Sequence, residues 1–259
     1  MDPLSRSSLE YPTKLDRAKV PAREPRWVLN LYPDAGEAGG CFQGGGDGSG
    51  AGSWREPDPE RSASEAARRA RGQVRRYCAA NRLNRLGTLT YGPPFCRDPR
   101  TVRWHVGTFF RKLRRETGRL PYLWVPELHA DGERYHVHFA VARYVGVGLI
   151  KEAWGHGFVH IKLLGDLPVG SGSLGEARLA ARYLAKYIGK ALDYGPAGLH
   201  RYEVAQGFKP VARSLVGVSL EDVLGQAAAI MGGEPVLVWD SGSDPSWAGP
   251  RAVWASWER

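Results

Sequence analysis

The chain has 259 residues, of which 42% are apolar, so it can bury a substantial core and is not wholly disordered. Its formal charge of +9 fits either ordinary solubility or a polyanionic partner such as nucleic acid. No run of about 18 apolar residues occurs, so we expect no membrane span. Three separated cysteines and no secretion signal exclude a disulfide framework and predict a cytoplasmic protein.

Composition divides the chain into three parts. Residues 1–60 contain several prolines and the glycine-rich stretch CFQGGGDGSGAGS, which predict a flexible N-terminal arm. Residues 61–220 carry regular patterns and form the expected main domain. Residues 221–259 form a C-terminal appendage without a chemical signature, and we expect its tryptophans to pack onto the domain, with base stacking as the alternative.

A first helix is predicted through SEAARRARGQVRRYCAANRL, capped by Ser62 or Ser64. Its basic face is either simply solvated or in contact with DNA phosphates. The candidate DNA-binding residues are Arg68, Arg69, Arg75 and Arg76.

Further elements alternate along the main domain. RLGTLTY and GFVHIKLL predict strands, and residues 101–117 and 174–192 have helical spacing. Two β-rich runs, PYLWVPELH and RYHVHFAVARYV, flank Asp131-Gly132, a strong hairpin signal. The hairpin favours an α+β fold with an antiparallel sheet over a doubly wound parallel one.

The hairpin is a candidate metal site. A two-residue turn at Asp131-Gly132 would place Glu127 opposite His136, with His138 on the same face. Two imidazoles and a carboxylate suit a divalent cation, although iron oxygenases also use this set. Pro126 is compatible with a bulge that would shift the register by one residue and make His129 the reserve ligand.

The helix predicted at 174–192 carries Tyr183, Lys186, Tyr187 and Lys190 within roughly a 100° arc, opposite an aliphatic stripe. A solvated surface stripe is one interpretation. The chemical one is that a tyrosine attacks phosphorus while the lysines support the phenolate or clamp phosphates. Tyr183 is favoured for the first attack because lysines lie at both its i+3 and i+7 positions.

Three segments occur in the order of the motifs of HUH endonucleases: TLTY at 88–91, HVHF at 136–139 and YLAKYIGK at 183–190. The chain resembles the rolling-circle replication initiators of plasmids and phages, in particular the two-tyrosine type. The resemblance extends into WGHGFVHIK and RYEVAQGFKP, so it covers roughly residues 70–215.

This resemblance implies a five-stranded antiparallel sheet in a ferredoxin-like or RRM-like arrangement. It implies that His136, His138 and Glu127 hold Mg²⁺ or Mn²⁺ against a scissile phosphate in single-stranded origin DNA. Tyr183 and Tyr187 match the nucleophile positions. Attack would give a 5′-phosphotyrosine and a free 3′-hydroxyl for a host DNA polymerase, and the second tyrosine would help to close the circle.

Several alternatives remain open at this stage. Gly189-Lys190-Ala191 lacks the other residues of a P-loop, so we expect no nucleotide cofactor and unwinding by a host helicase. A transposase or relaxase would use the same site. A basic nucleic-acid-binding module without catalysis is an alternative of another class. An oxygenase or hydrolase of small molecules would leave the Tyr/Lys helix unexplained.

Overall fold

The computed structural model describes residues 24–44, 59–163, 172–194, 200, 202–247 and 249–258, without the side chains of 59–61, 163, 172–173 and 189–194. The strands within this part are β1 (Arg26–Tyr32), β2 (Glu37–Gln43), β3 (Arg85–Tyr91), β4 (Tyr122–Leu128), β5 (Tyr135–Val141), β6 (Gly157–Leu163), β7 (Glu203–Val204), β8 (Arg213–Gly217), β9 (Leu237–Asp240) and β10 (Ala252–Ser256). The α-helices are α1 (Pro59–Ala80), α2 (Pro99–Thr117), α3 (Val147–Trp154), α4 (Gly172–Tyr194) and α5 (Leu220–Met231).

The first sheet, which we call the central sheet, has the strand order β6-β3-β5-β4-β7 and is antiparallel. Helices α2 and α3 cover one face, where Phe109, Phe139 and Trp154 form an aromatic cluster. The α2 helix begins where the Asp98 carboxylate accepts a hydrogen bond from the Thr101 amide at 2.8 Å. Burial of these rings supplies much of the apolar area that fixes the helices on the sheet.

Helices α1 and α4 cover part of the opposite face. Their side chains Val74 and Leu184 are fully buried against Leu123 and Ala140 of the central sheet. The apolar stripe of α4 that was predicted to face the core does so. The helix is therefore held with a fixed rotation over strands β4 and β5.

The second sheet, which we call the terminal sheet, has the order β8-β1-β2-β10-β9 and joins segments from all three predicted parts of the chain. Helix α5 covers one face, and the other faces α1. The prediction of a flexible arm over residues 1–60 is wrong for residues 26–43, because Trp27, Leu29 and Leu31 are buried there. Residues 1–23 and 45–58 lie outside the described part.

The α+β prediction is confirmed, with two antiparallel five-stranded sheets in the described residues where one sheet was expected. The layers follow in the order α5, terminal sheet, α1 and α4, central sheet, α2 and α3. The predicted tail packing is also confirmed for Trp254 and Trp257, which lie in or beside β10. Among the described residues, none of the helices combines the length and apolarity needed to cross a membrane.

Candidate metal and tyrosine site

Three possible metal ligands converge at one end of the β4–β5 hairpin. Glu127 pairs directly with His136, as the hairpin signal predicted, and Val125 pairs with His138. The Glu127 Oε2 atom lies 2.7 Å from His136 Nε2 and 2.8 Å from His138 Nε2. The ligand atoms of these three residues all lie within 4.8 Å of one another. This carboxylate and two imidazoles could hold a divalent cation with mixed oxygen and nitrogen ligands.

The register survives Pro126 for a reason visible in the backbone. Alternate residues of a strand direct their backbone groups toward opposite neighbours. Tyr122 O accepts from Ala205 N beyond β4, so Pro126, four residues later, faces that same side. The described β7 pairs only with Leu123 and Trp124, so the missing N–H of Pro126 faces beyond the end of that ladder.

The hairpin loop is longer than the predicted two-residue turn. His129 N donates to Arg134 O, and residues 130–133 form the loop between them, with Gly132 at φ +73°. The Asp131 carboxylate accepts hydrogen bonds from the amides of Glu133 and Arg134, which lowers its pKa. The His129 ring lies beside that of His136 but outside the three-residue group, so the reserve-ligand assignment is not needed.

Thr88 supports the orientation of His138. Its Oγ1 lies 3.1 Å from His138 Nδ1, which leaves Nε2 directed at Glu127. Hydrogen bonds of this kind fix the tautomer and orientation of a ligating imidazole. Sequence reasoning missed this contact, although strand alternation could have found it, because Thr88 of β3 pairs with His138 of β5.

Helix α4 brings both predicted tyrosines to the same place. The Tyr187 ring stacks on the His138 ring, with centroids 3.8 Å apart and an interplanar angle of 16°. The Tyr187 hydroxyl donates a hydrogen bond of 2.8 Å to the Tyr183 oxygen. The metal-capable group and the tyrosine pair, which the sequence offered as separate features, therefore form a single site.

The electrostatics distinguish the two tyrosines. Burial, the hydrogen bond and negative charge shared with Tyr183, and the Glu127 carboxylate raise the pKa of Tyr187 well above its usual value near 10. Tyr187 therefore keeps its proton at neutral pH and acts as the donor of the pair.

The structure places the predicted lysines only in part. Lys186 is exposed on α4, one turn after Tyr183. Lys190 lies in the same helix, but its side chain is outside the described residues. The predicted clamp formed by both lysines is thus described on one side only.

Three of the four arginines proposed to bind DNA contact the terminal sheet or the segment beside it. Arg75 Nε donates to Glu37 Oε2 at 2.7 Å, and Arg76 lies 3.4 Å from the same carboxylate. Arg68 stacks over Trp247. These contacts give the three residues a structural role, and their DNA contacts stay a prediction.

Arg69 is placed differently. It is exposed, pairs with Glu65 at 3.6 Å and lines a groove of about 710 Å³ beside Arg103 and Tyr202. Of the four arginines it is the one whose described contacts leave it most open to a phosphate.

Residues 84–192 match the model of a family of replication-associated proteins, which is described by its ORF2 and gene 2 protein members. The match covers less than half of the chain, but it runs from the start of β3 through the two tyrosines of α4. It supports a replication-associated protein of the Rep type. Comparisons with curated proteins and with solved structures found no match.

Proposed function

We propose that the protein initiates rolling-circle replication by nicking one DNA strand at an origin through a tyrosine nucleophile and rejoining it after synthesis. The observation that carries the proposal is the contact between His138 of the metal-capable group and Tyr187, which is itself bonded to Tyr183. The family match over these elements favours a replication initiator over a transposase or relaxase with the same chemistry.

Glu127, His136 and His138 would hold Mg²⁺ or Mn²⁺. Such a cation, when bound, polarises a phosphate and offsets the charge that develops during attack. The protein supplies the arrangement: a half-buried carboxylate between two imidazoles, with Thr88 orienting one of them.

Tyr183 is the proposed first nucleophile. Its oxygen would form a bond to phosphorus as the bond from phosphorus to the 3′ oxygen breaks. The phenol proton leaves to solvent, and the departing 3′ oxygen takes up a proton to become a hydroxyl. The hydrogen bond donated by Tyr187 would stabilise negative charge on the Tyr183 oxygen during this step.

Rejoining reverses these bonds, since a 3′-hydroxyl attacks the 5′-phosphotyrosine and releases the phenol. The new 3′-hydroxyl from the first nick serves a host DNA polymerase, and a host helicase would open the duplex. Tyr187 would take the strand in the second round, so Tyr187→Phe should still nick but fail to close the circle.

The test uses a pool of single-stranded oligonucleotides of random sequence that carry a dye at the 3′ end. A 5′-phosphotyrosine keeps the labelled fragment on the protein, so Mn²⁺ should produce a labelled band that resists denaturing electrophoresis. EDTA should prevent it. If no adduct forms with Mn²⁺ or Mg²⁺ while the pool still binds, the protein is a nucleic-acid-binding module without this catalysis.

A further inference from the structure

Strand β6 forms one edge of the central sheet and exposes a row of side chains beside the candidate site. Phe158 is 70% exposed, and His160 and Lys162 are also exposed. The alternate residues Val159 and Ile161 pack into the core on the opposite face. We call the row Phe158, His160 and Lys162 the β6 shelf.

The strand register places the shelf on the face that carries the metal-capable group. Thr90 pairs with Phe158 on one side and with His136 on the other, and His136 pairs with Glu127. Directly paired residues of antiparallel strands share a face. Phe158 is therefore two strand spacings, about 10 Å, from His136.

The next row repeats this arrangement. Thr88 pairs with both His160 and His138. The shelf thus runs parallel to the two imidazoles over two consecutive rows, separated from them by the threonines of β3. In these two rows of the described strand β3, no bulky side chain stands between the shelf and the site.

Helices α1 and α4 leave the shelf open. The core cluster beneath them takes side chains from β3, β4, β5 and β7, and none from β6 among the described residues. An exposed phenylalanine on this face gains nothing from the core. Its position between a metal-capable group and a lysine suits a ligand with both an aromatic face and negative charge.

We propose that the β6 shelf binds single-stranded DNA next to the scissile phosphate, with Phe158 stacked on a base and Lys162 against a backbone phosphate. The occupant is single-stranded because the bases of a duplex do not present their faces to a side chain, whereas unpaired bases stack on aromatic rings irrespective of sequence. The chain's net charge of +9 complements the phosphates. The inference rests on the proposed function, because it takes the metal-capable group as the place of cleavage.

The experiment measures binding without cleavage. Fluorescein-labelled oligothymidylate of about 20 nucleotides, an arbitrary probe length, is titrated with the full chain in EDTA, and fluorescence anisotropy gives the Kd. Phe158→Ala should weaken binding roughly five- to hundredfold, the range expected for loss of one base–aromatic stack. Phe158→Trp should retain wild-type binding or strengthen it.

The matched control is Tyr144→Ala. Tyr144 is 74% exposed and follows the end of β5 opposite to His136, so its loss should leave the Kd unchanged. Lys162→Ala should reduce the slope of log K against log salt by about 0.7, the contribution of one phosphate contact on a single strand.

Wild-type affinity in Phe158→Ala would overturn the shelf, as would failure of the wild type to bind the probe at low salt. Equal weakening by Phe158→Ala and Tyr144→Ala would also overturn it. These results are independent of nicking. A Phe158-dependent Kd without any covalent adduct would retain the shelf and reject the proposed catalysis, and an adduct with unchanged Phe158→Ala binding would do the reverse.

Discussion

The two sheets use the same types of side chain for opposite purposes. On the central sheet, Glu127 lies between two imidazoles at the edge of a partly open face. On the terminal sheet, Glu37 is 1% exposed and lies between the guanidinium groups of Arg75 and Arg76. A carboxylate between histidines can exchange its partners for a cation, whereas one held by two arginines is already neutralised and joins two layers.

Aromatic residues show the same contrast. Trp254 and Tyr32 of the terminal sheet stack under arginines of α1, at 5.0 and 4.8 Å. Phe158 of the central sheet is exposed to solvent. Aromatic rings thus attach α1 to the terminal sheet, while the central sheet leaves one ring open beside the candidate site.

Arg178 connects the two regions. This residue of α4, five positions before Tyr183, donates hydrogen bonds of 2.9 Å to the carbonyls of Gly36 and Trp257 in the terminal sheet region. The terminal sheet therefore helps to position the helix that carries both tyrosines. Changes in the central sheet should alter chemistry, and changes in the terminal sheet should alter stability.

The largest expected effect is on the chemistry. Replacing His136 and His138 together by alanine should reduce nicking at least about a thousandfold, because the metal contribution of several kcal/mol is lost. Urea unfolding should remain close to wild type. The matched control is His105→Gln with His156→Gln, two histidines stacked on the other face of the same sheet. Substantial nicking by the double alanine variant would reject the metal site.

The corresponding change in the terminal sheet should act on folding. Glu37→Ala leaves two partly buried guanidinium groups without their carboxylate and should lower the free energy of unfolding by about 3 kcal/mol. Urea denaturation measures it. Glu133→Ala removes an exposed ion pair with Arg97 and should cost no more than about 0.5 kcal/mol. Equal effects of the two variants would break the contrast between the sheets.

A smaller effect separates ligand from neighbour within the hairpin. Glu127→Gln keeps the shape but removes the charge, so Mn²⁺ affinity should fall roughly ten- to a hundredfold. His129→Ala should leave the affinity unchanged, because His129 lies outside the ligand group. Calorimetric titration with Mn²⁺ measures both. Loss of affinity in His129→Ala alone would reassign the ligand.

The smallest expected effect concerns pH. Burial and the mutual repulsion of His105 and His156, with Lys112 acting on His156, lower both histidine pKa values below 6.5. The unfolded chain then binds more protons, so stability should fall as the pH drops below about 6.5. The His105→Gln, His156→Gln variant should lose part of this slope in urea titrations at about pH 7.5 and about pH 5.5, on either side of the ordinary histidine pKa. An unchanged slope would show that other groups cause it.

The sequence predicted the central sheet because its decisive relations are local. Glu127 and His136 are nine residues apart on one hairpin, and Tyr183 and Tyr187 are one turn apart on one helix. Periodicity and turn chemistry resolve relations of this length. The convergence of hairpin and helix was predicted by the family resemblance and not by either pattern alone.

The terminal sheet escaped prediction because its pairings are remote. Strand β2 pairs with β10, which lies about 200 residues later, and no local pattern encodes that contact. Its glycines also suggested a linker. A Cβ on Gly40 would lie 2.1 Å from Val28 O, so this glycine permits close approach of two strands and does not mark flexibility.

The most direct test of the central claim is to identify the residue that carries the DNA. Trypsin cleaves after Arg182, Lys186 and Lys190, so Tyr183 and Tyr187 fall on separate peptides, YLAK and YIGK. After Mn²⁺-dependent adduct formation and nuclease treatment, mass spectrometry should find the nucleotide remnant on YLAK. A remnant on YIGK would exchange the roles of the two tyrosines. A remnant outside α4, or a full adduct in the Tyr183→Phe, Tyr187→Phe double variant, would contradict tyrosine catalysis at this site.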